Sequence, residues 1–209
     1  MKEKRLAKFR SDRQVTLLCS YKNDSLVHIW SESQLERNTQ RYFEYQQDVI
    51  SYKAQPTQYE YLDDKGAERS YTPDLEVSKK TGAELIEIKP EIFTRSTRAK
   101  ASFSHLRGLF SEKKNLKYSY ITDKDVYAGS TTENLKRIHH FRRLSIAKIN
   151  ISKLVESVGT QTTFGELKVH VEALGLQAKH ALALLGHQVF IFDYKQVLTD
   201  TTILTTVGI

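Results

Sequence analysis

The stretch "YTPDLEVSKKTGAELIEIKP", Tyr71 to Pro90, constrains the fold of this chain more than any other. It has the form of two strands joined at the tight turn "KKTG" (79–82). Side chains on a strand alternate between faces. Ala83, Leu85, Glu87 and Lys89 therefore share one face, and Glu84, Ile86 and Ile88 share the other. Upstream, Asp74 and Glu76 share a face while Leu75 and Val77 turn away. Pairing the strands through the turn brings Asp74 toward Glu87 and Lys89. Two carboxylates and one ammonium are expected above a β-platform, with Ile86 and Ile88 packed on a core.

Phosphodiester hydrolysis uses such a set. Mg²⁺ prefers oxygen ligands, keeps several waters and takes one or two carboxylates plus a phosphate oxygen. A metal so held polarises the phosphoryl group and activates water. A neighbouring lysine orients that water or neutralises charge in the transition state. Pro73 fixes the backbone entering the site and bends the strand. The string is the PD…(D/E)xK pattern: "PD", twelve residues, then "EIK". Short acid-and-lysine patterns recur by chance, and a solvated hairpin with a cross-strand ion pair gives the same string.

The rest of the chain narrows the choice. Ser33 with Glu36 three residues on forms the capping-box pattern at the start of a helix reaching about Gln47. Glu36 is thus both a third acid that can face the sheet and a cap for its own helix. Leu35, Thr39, Tyr42, Phe43 and Gln46 fall on one face of that helix. The short apolar stretches 15–21 and 26–30 are expected as strand or loop; strands are expected at 49–55, 57–62, 68–77, 83–89 and 116–122, with helices at about 97–113 and 131–148. Three short helices follow, stopped by Gly159, Gly175 and Gly186, and then a terminal hairpin at 189–194 and 199–207. The order implies an α/β protein: an αβα core with a mixed sheet, then a small winged-helix-like α+β domain. The boundary is expected at 148, giving domains 1–148 and 149–209.

Charge supports a polyanionic partner. The 209 residues carry a net charge of +7. From 151 to 209, four lysines face five acids and arginine is absent, so the excess lies in the first 150 residues. Basic clusters occur in the arm 1–13, at Arg95, Arg98 and Lys100, at Lys113–Lys114, and in "KRIHHFRR" (136–143). DNA is the simplest partner of that sign, although a merely soluble basic surface has the same composition. Arg95, Arg98 and Lys100 follow the second strand and are expected to grip a DNA backbone; Gln55, before Pro56, is a candidate for positioning a phosphate. His139 and His140 are adjacent on a helix and point apart, a poor metal pair. Tyr118 and Tyr120 share a strand face and are expected in the core. No apolar run is long enough for a membrane span. The start "MKEKRLAKFR" lacks the apolar segment of a secretory signal, and the single Cys19 forms no internal disulfide, so a reducing cytoplasm is expected.

Taken together, "SQLE" (33–36), "VISYKAQP" (49–56), "YTPDLEV" (71–77), "AELIEIKP" (83–90) and "YITDKDV" (120–126) resemble TnsA-like endonucleases in order and spacing. The resemblance spans about residues 30–145, and the C-terminal helices and wing follow it more loosely. It implies a restriction-endonuclease-like fold, Mg²⁺ dependence (with Mn²⁺ a possible substitute), and cleavage of the 5′, non-transferred strands at transposon ends. It implies a DDE-type partner, TnsB, for the 3′ ends and a AAA+ regulator, TnsC, contacting the C-terminal domain. By the same resemblance Glu36, Asp74 and Glu87 hold metal with the Ile88 carbonyl, and Lys89 is the motif lysine. Glu87 stands where some relatives carry glutamine, restoring the acid of the broader nuclease pattern. Two further readings share the fold: a stand-alone nuclease such as a restriction enzyme or junction resolvase, and a non-catalytic DNA-binding adaptor. The acidic balance and lack of arginine after residue 150 favour protein binding over DNA reading for the C-terminal domain.

Overall fold

The computed structural model describes residues 15–22, 26–63, 66–114 and 116–207. The basic arm expected over residues 1–13 lies outside them. Strands β1 (Thr16–Ser20) and β2 (Val27–Ser31) pair antiparallel as a hairpin. Helix α1 (Gln34–Glu44) starts at the N-cap Ser33, whose side chain accepts a hydrogen bond from the backbone N–H of Glu36. Then come β3 (Val49–Ala54), β4 (Tyr59–Leu62), β5 (Glu68–Tyr71), β6 (Leu75–Lys79) and β7 (Gly82–Lys89). A single turn α2 (Glu91–Thr94), the long helix α3 (Thr97–Lys114), β8 (Lys117–Thr122) and a short turn α4 (Asp123–Val126) follow. The core sheet has the order β3-β6-β7-β8, antiparallel except for the parallel β7–β8 pair.

Proline splits one expected strand in two. A single strand is expected from residue 68 to 77, but the structure places residues 68–71 in β5, paired with β4, and 75–79 in β6 of the main sheet. Pro73 has no N–H to give a ladder and holds its own φ, so the chain leaves one sheet and enters another there. The break sets Asp74 immediately ahead of β6, its carbonyl accepting a 2.9 Å hydrogen bond from the N–H of Gln55.

The hairpin register follows the alternation. Leu75 faces Ile86 and Glu76 faces Leu85, so Asp74, Glu76, Leu85 and Glu87 belong to one face. That face is not an open platform along its length. Leu85 is fully buried with Leu106 and Phe110 of α3 and Tyr118 of β8, ringed by Tyr59, Tyr61, Tyr71 and Phe103. Ile86 on the opposite face is buried too. A central strand next to a parallel neighbour is covered on both sides, so its charged residues sit at ends or carry partners. Glu84 has partners: Lys79 Nζ at 2.7 Å, Lys117 Nζ at 3.0 Å and the Ser119 hydroxyl at 2.7 Å. Burial works against its charge, but these three partners outweigh burial and hold the carboxyl below its ordinary pKa.

Helix α1 packs against β7 and β3 and buries more polar groups than its apolar spacing indicates: Asn38, Gln40, Arg41 and Glu44. Glu44 accepts from the Ser20 hydroxyl at 2.8 Å, the Tyr21 N–H at 2.9 Å and the Tyr52 hydroxyl at 2.9 Å, tying the first hairpin and β3 to the helix. Gln40 donates to the Trp30 carbonyl at 2.9 Å. Burial of a carboxylate is tolerated only when its oxygens are satisfied in this way.

Contacts divide the chain between Lys124 and Asp125, whereas the composition shift places the boundary near 148. The helix between those points, α5 (Thr131–Phe141), packs within the C-terminal unit. It ends at Phe141, short of the expected 148. The unit continues through α6 (Ile151–Val158), β9 (Gln161–Thr163), α7 (Phe164–Ala173), α8 (Lys179–Gly186), β10 (Phe190–Ile191) and β11 (Ile203–Thr206). Its sheet has the order β10-β11-β9, so the expected terminal hairpin gains a third strand from before α7. Thr163 and Glu166 form a complete capping box on α7. Gly159 and Gly175 end α6 and α7 with φ of 80° and 75°. Gly186 does something else: it is the last residue of α8, and a Cβ there would lie 2.6 Å from the Ile138 carbonyl oxygen of α5. No helix among the described residues is long and apolar enough to cross a membrane.

Candidate active site

The open end of the Glu87 face is where the charges meet. Asp74 Oδ2 accepts a 2.7 Å hydrogen bond from the backbone N–H of Ile88, locking the carboxylate across the β6–β7 ladder. Glu87 lies one residue before that N–H, almost fully buried, and uses both oxygens. Lys89 Nζ is 2.5 Å from Oε1, and the Tyr71 hydroxyl donates to Oε2. Tyr71 has a single hydroxyl proton and spends it there, so in its 2.9 Å contact with Tyr118 the Tyr118 hydroxyl is the donor. Lys89 also lies 5.7 Å from the centroid of the Tyr120 ring, the residue beside Glu87 in the β7–β8 register.

Electrostatics single out Asp74. Burial, then the Glu87 charge and more weakly the Glu36 charge, push its carboxyl up to about 7, against the Ile88 hydrogen bond and Lys89. A carboxyl poised near neutrality by like charges is a frequent mark of a functional site. For Lys89, burial favours the neutral amine, but the Glu87 pair outweighs it and lifts the pKa above the ordinary lysine value. Lys89 is therefore an ammonium at neutral pH, suited to stabilise negative charge and unsuited to act as a base. The same neighbours raise the phenols of Tyr71 and Tyr118, burial first and the Glu87 charge second, so both stay protonated.

The remaining candidates fall around this centre. Glu36 is turned onto its own helix start: Oε2 accepts from the Glu32 N–H at 2.8 Å and Oε1 from the Ser33 hydroxyl at 2.9 Å. Its charge is still felt at Asp74. Gln55 is exposed and takes a left-handed φ of 41°, uncommon outside glycine, beside the Asp74 carbonyl. Arg95, Arg98 and Lys100 are exposed at α2 and the start of α3; Arg95 pairs with Glu91 at 2.9 Å.

Residues 46–123 match the family described as TnsA-like endonuclease N terminal. The match begins just before β3 and ends just after β8, so it contains the whole core sheet with Asp74, Glu87 and Lys89. This segment is similar to TnsA-like endonuclease N-terminal domains. Glu36 and the C-terminal unit lie outside it. No curated protein sequence matches the chain.

The donor chemistry of the TnsA-like segment fits a hard divalent cation. Asp74, Glu87 and the Ile88 carbonyl offer oxygen alone, and the repulsion from Glu87 that adds to burial in raising Asp74 is what a cation relieves. Among the described residues no three His, Cys, Asp or Glu side chains are drawn together as a metal cluster. The hydrogen bonds give the reason: Glu36 is occupied by its cap and Glu87 by Lys89 and Tyr71.

Tyr71 and Tyr118 are the residues that sequence reasoning misses here. Alternation sees two aromatic core positions and has no means of finding a hydroxyl aimed at a carboxylate 16 residues away. Their effect is to orient Glu87. Tyr71→Phe keeps the ring in its aromatic cluster and removes only that bond. Partners that hold a ligating carboxylate typically matter 10–100-fold for metal affinity. The expected result is Mn²⁺ binding weakened about tenfold or more in calorimetric titration, with near-native circular dichroism. Wild-type affinity in Tyr71→Phe excludes this role for the hydroxyl.

Proposed function

We propose that the protein is a Mg²⁺-dependent DNA endonuclease subunit of a transposase, cutting the 5′ strands at transposon ends beside a DDE-type subunit. One observation carries the reading: the segment of TnsA-like sequence coincides with the sheet whose one open end gathers Asp74, Glu87 and Lys89. Asp74 is the central ligand, fixed by the Ile88 N–H, with Glu87 and the Ile88 carbonyl beside it. Glu36 completes the set on leaving its cap. Mg²⁺ held there supplies Lewis-acid polarisation of the scissile phosphoryl group. Lys89 contributes a fixed positive charge toward the pentacovalent transition state as water attacks phosphorus and the P–O bond to the leaving strand breaks. The basic residues Arg95, Arg98 and Lys100, with Gln55, contact the phosphate backbone.

The C-terminal segment 149–209 is read as a winged-helix-like partner domain, suited to a TnsC-like AAA+ regulator, because over residues 151–209 five acids exceed four lysines. The setting is the bacterial cytoplasm, on DNA. The test is cleavage of labelled transposon-end DNA with Mg²⁺, with and without a candidate DDE subunit. Cuts confined to 5′ strands and dependent on that subunit are expected. Efficient cutting of plain or branched duplex by the lone chain favours a restriction enzyme or junction resolvase instead.

A further inference from the structure

Immediately after Lys89 the chain turns through α2, where Ile92 and Phe93 stand 69% and 66% exposed. Single exposed apolar residues are common on protein surfaces. Two adjacent ones on a braced turn among cations are a different matter. The brace is extensive. The Glu91 N–H donates to Asp123 Oδ1 at 2.7 Å, the Phe93 N–H to the Pro90 carbonyl at 2.9 Å, and the Thr94 hydroxyl to the Glu91 carbonyl at 2.7 Å. Glu91 Oε2 also takes Arg95 at 2.9 Å and Lys124 at 2.8 Å. Every one of these bonds runs through backbone or polar side chains, so the turn is held while its two apolar side chains face water.

Charge selects the occupant. From residue 89 to 100, Lys89, Arg95, Arg98 and Lys100 face the single acid Glu91. A partner that offers both dense negative charge and flat apolar surfaces is DNA, through its phosphates and its base faces. We propose that the α2 turn is a DNA wedge: Phe93, backed by Ile92, packs against bases next to the scissile phosphate and unstacks or kinks the duplex there. Apolar side chains inserted at base steps distort DNA in this manner. The inference rests on the nuclease reading and names how its substrate is held.

The experiment uses the full chain with end-containing duplexes carrying 2-aminopurine at successive positions, in Ca²⁺ to suppress cleavage. Wild-type protein is expected to raise 2-aminopurine fluorescence at one or two neighbouring positions. Phe93→Ala is expected to lose that signal and to weaken binding at least fivefold by anisotropy, and Phe93→Trp to restore both. Phe93 is exposed, so an unchanged melting temperature serves as the folding control. Asp74→Asn separates the two claims, because it is expected to keep the fluorescence signal while losing cleavage. A Phe93→Ala protein with wild-type signal and affinity overturns the wedge and leaves the nuclease reading standing. Loss of DDE-subunit binding in Phe93→Ala with DNA contacts intact also overturns it, in favour of a protein interface. A wild-type chain that binds no DNA overturns both.

Discussion

Asp74→Asn and Lys89→Ala are each expected to slow strand cleavage by about 100-fold or more, with the fold retained. The two fail for different reasons. Asp74 lies at the meeting point of the Ile88 N–H, Glu87 and the field of Glu36, and asparagine keeps the acceptor for Ile88 but removes the charge. Lys89 holds Glu87 at 2.5 Å and lowers the proton affinity of Asp74. Its removal therefore takes away a cation and also moves the residual pH–rate profile to higher pH, because Asp74 holds its proton more strongly. Single-turnover cleavage of an end-labelled duplex from pH 6 to 9 measures both. Cleavage by either variant at the wild-type rate contradicts the site.

The second large effect is on stability without metal. The Asp74 carboxyl is raised from its ordinary 3.8 to about 7. Between those pH values the folded protein binds a proton that the unfolded chain has released, so stability falls as pH rises through that window. A shift of that size corresponds to about 4 kcal/mol at full strength, and solvent screening of a partly buried carboxylate reduces it to roughly 1–3 kcal/mol. Asp74→Asn removes the charge and the loss with it. In EDTA at pH 8 the variant is expected to melt several degrees above wild type, and at pH 4 the two converge. Adding Mg²⁺ at pH 8 is expected to stabilise wild type and to leave the variant unmoved. Equal melting temperatures at pH 8 mean that Asp74 carries no such burden.

Some of this was written in the sequence and some was not. Strand alternation placed Asp74 with Glu87, and the register Leu75 to Ile86 agrees, because the period of a strand leaves no freedom once its apolar face is buried. Pro73 announced a bend but not its result, the separation of β5 from β6 into different sheets. Alternation says nothing of how a buried acid is satisfied: Glu84, on the face of Ile86 and Ile88, lies between Lys79 and Lys117, and Glu44 lies under Ser20, Tyr21 and Tyr52. These partners stand 5 to 33 residues away in sequence, beyond what strand alternation reads. Gly186 looked like a helix stop because glycine usually is one, yet its small size serves the contact of α8 with α5. The cap on Glu36 was legible from Ser33 alone, and the structure adds that Asp74 feels its charge.

The central claim is that Asp74 and Glu87 hold a divalent cation beside Lys89. Anomalous diffraction from crystals soaked in Mn²⁺ tests it most directly. A peak about 2.2 Å from an Asp74 carboxylate oxygen, with Glu87 or the Ile88 carbonyl as a second neighbour, is the expected result. Anomalous density elsewhere on the chain and none at Asp74 contradicts the account.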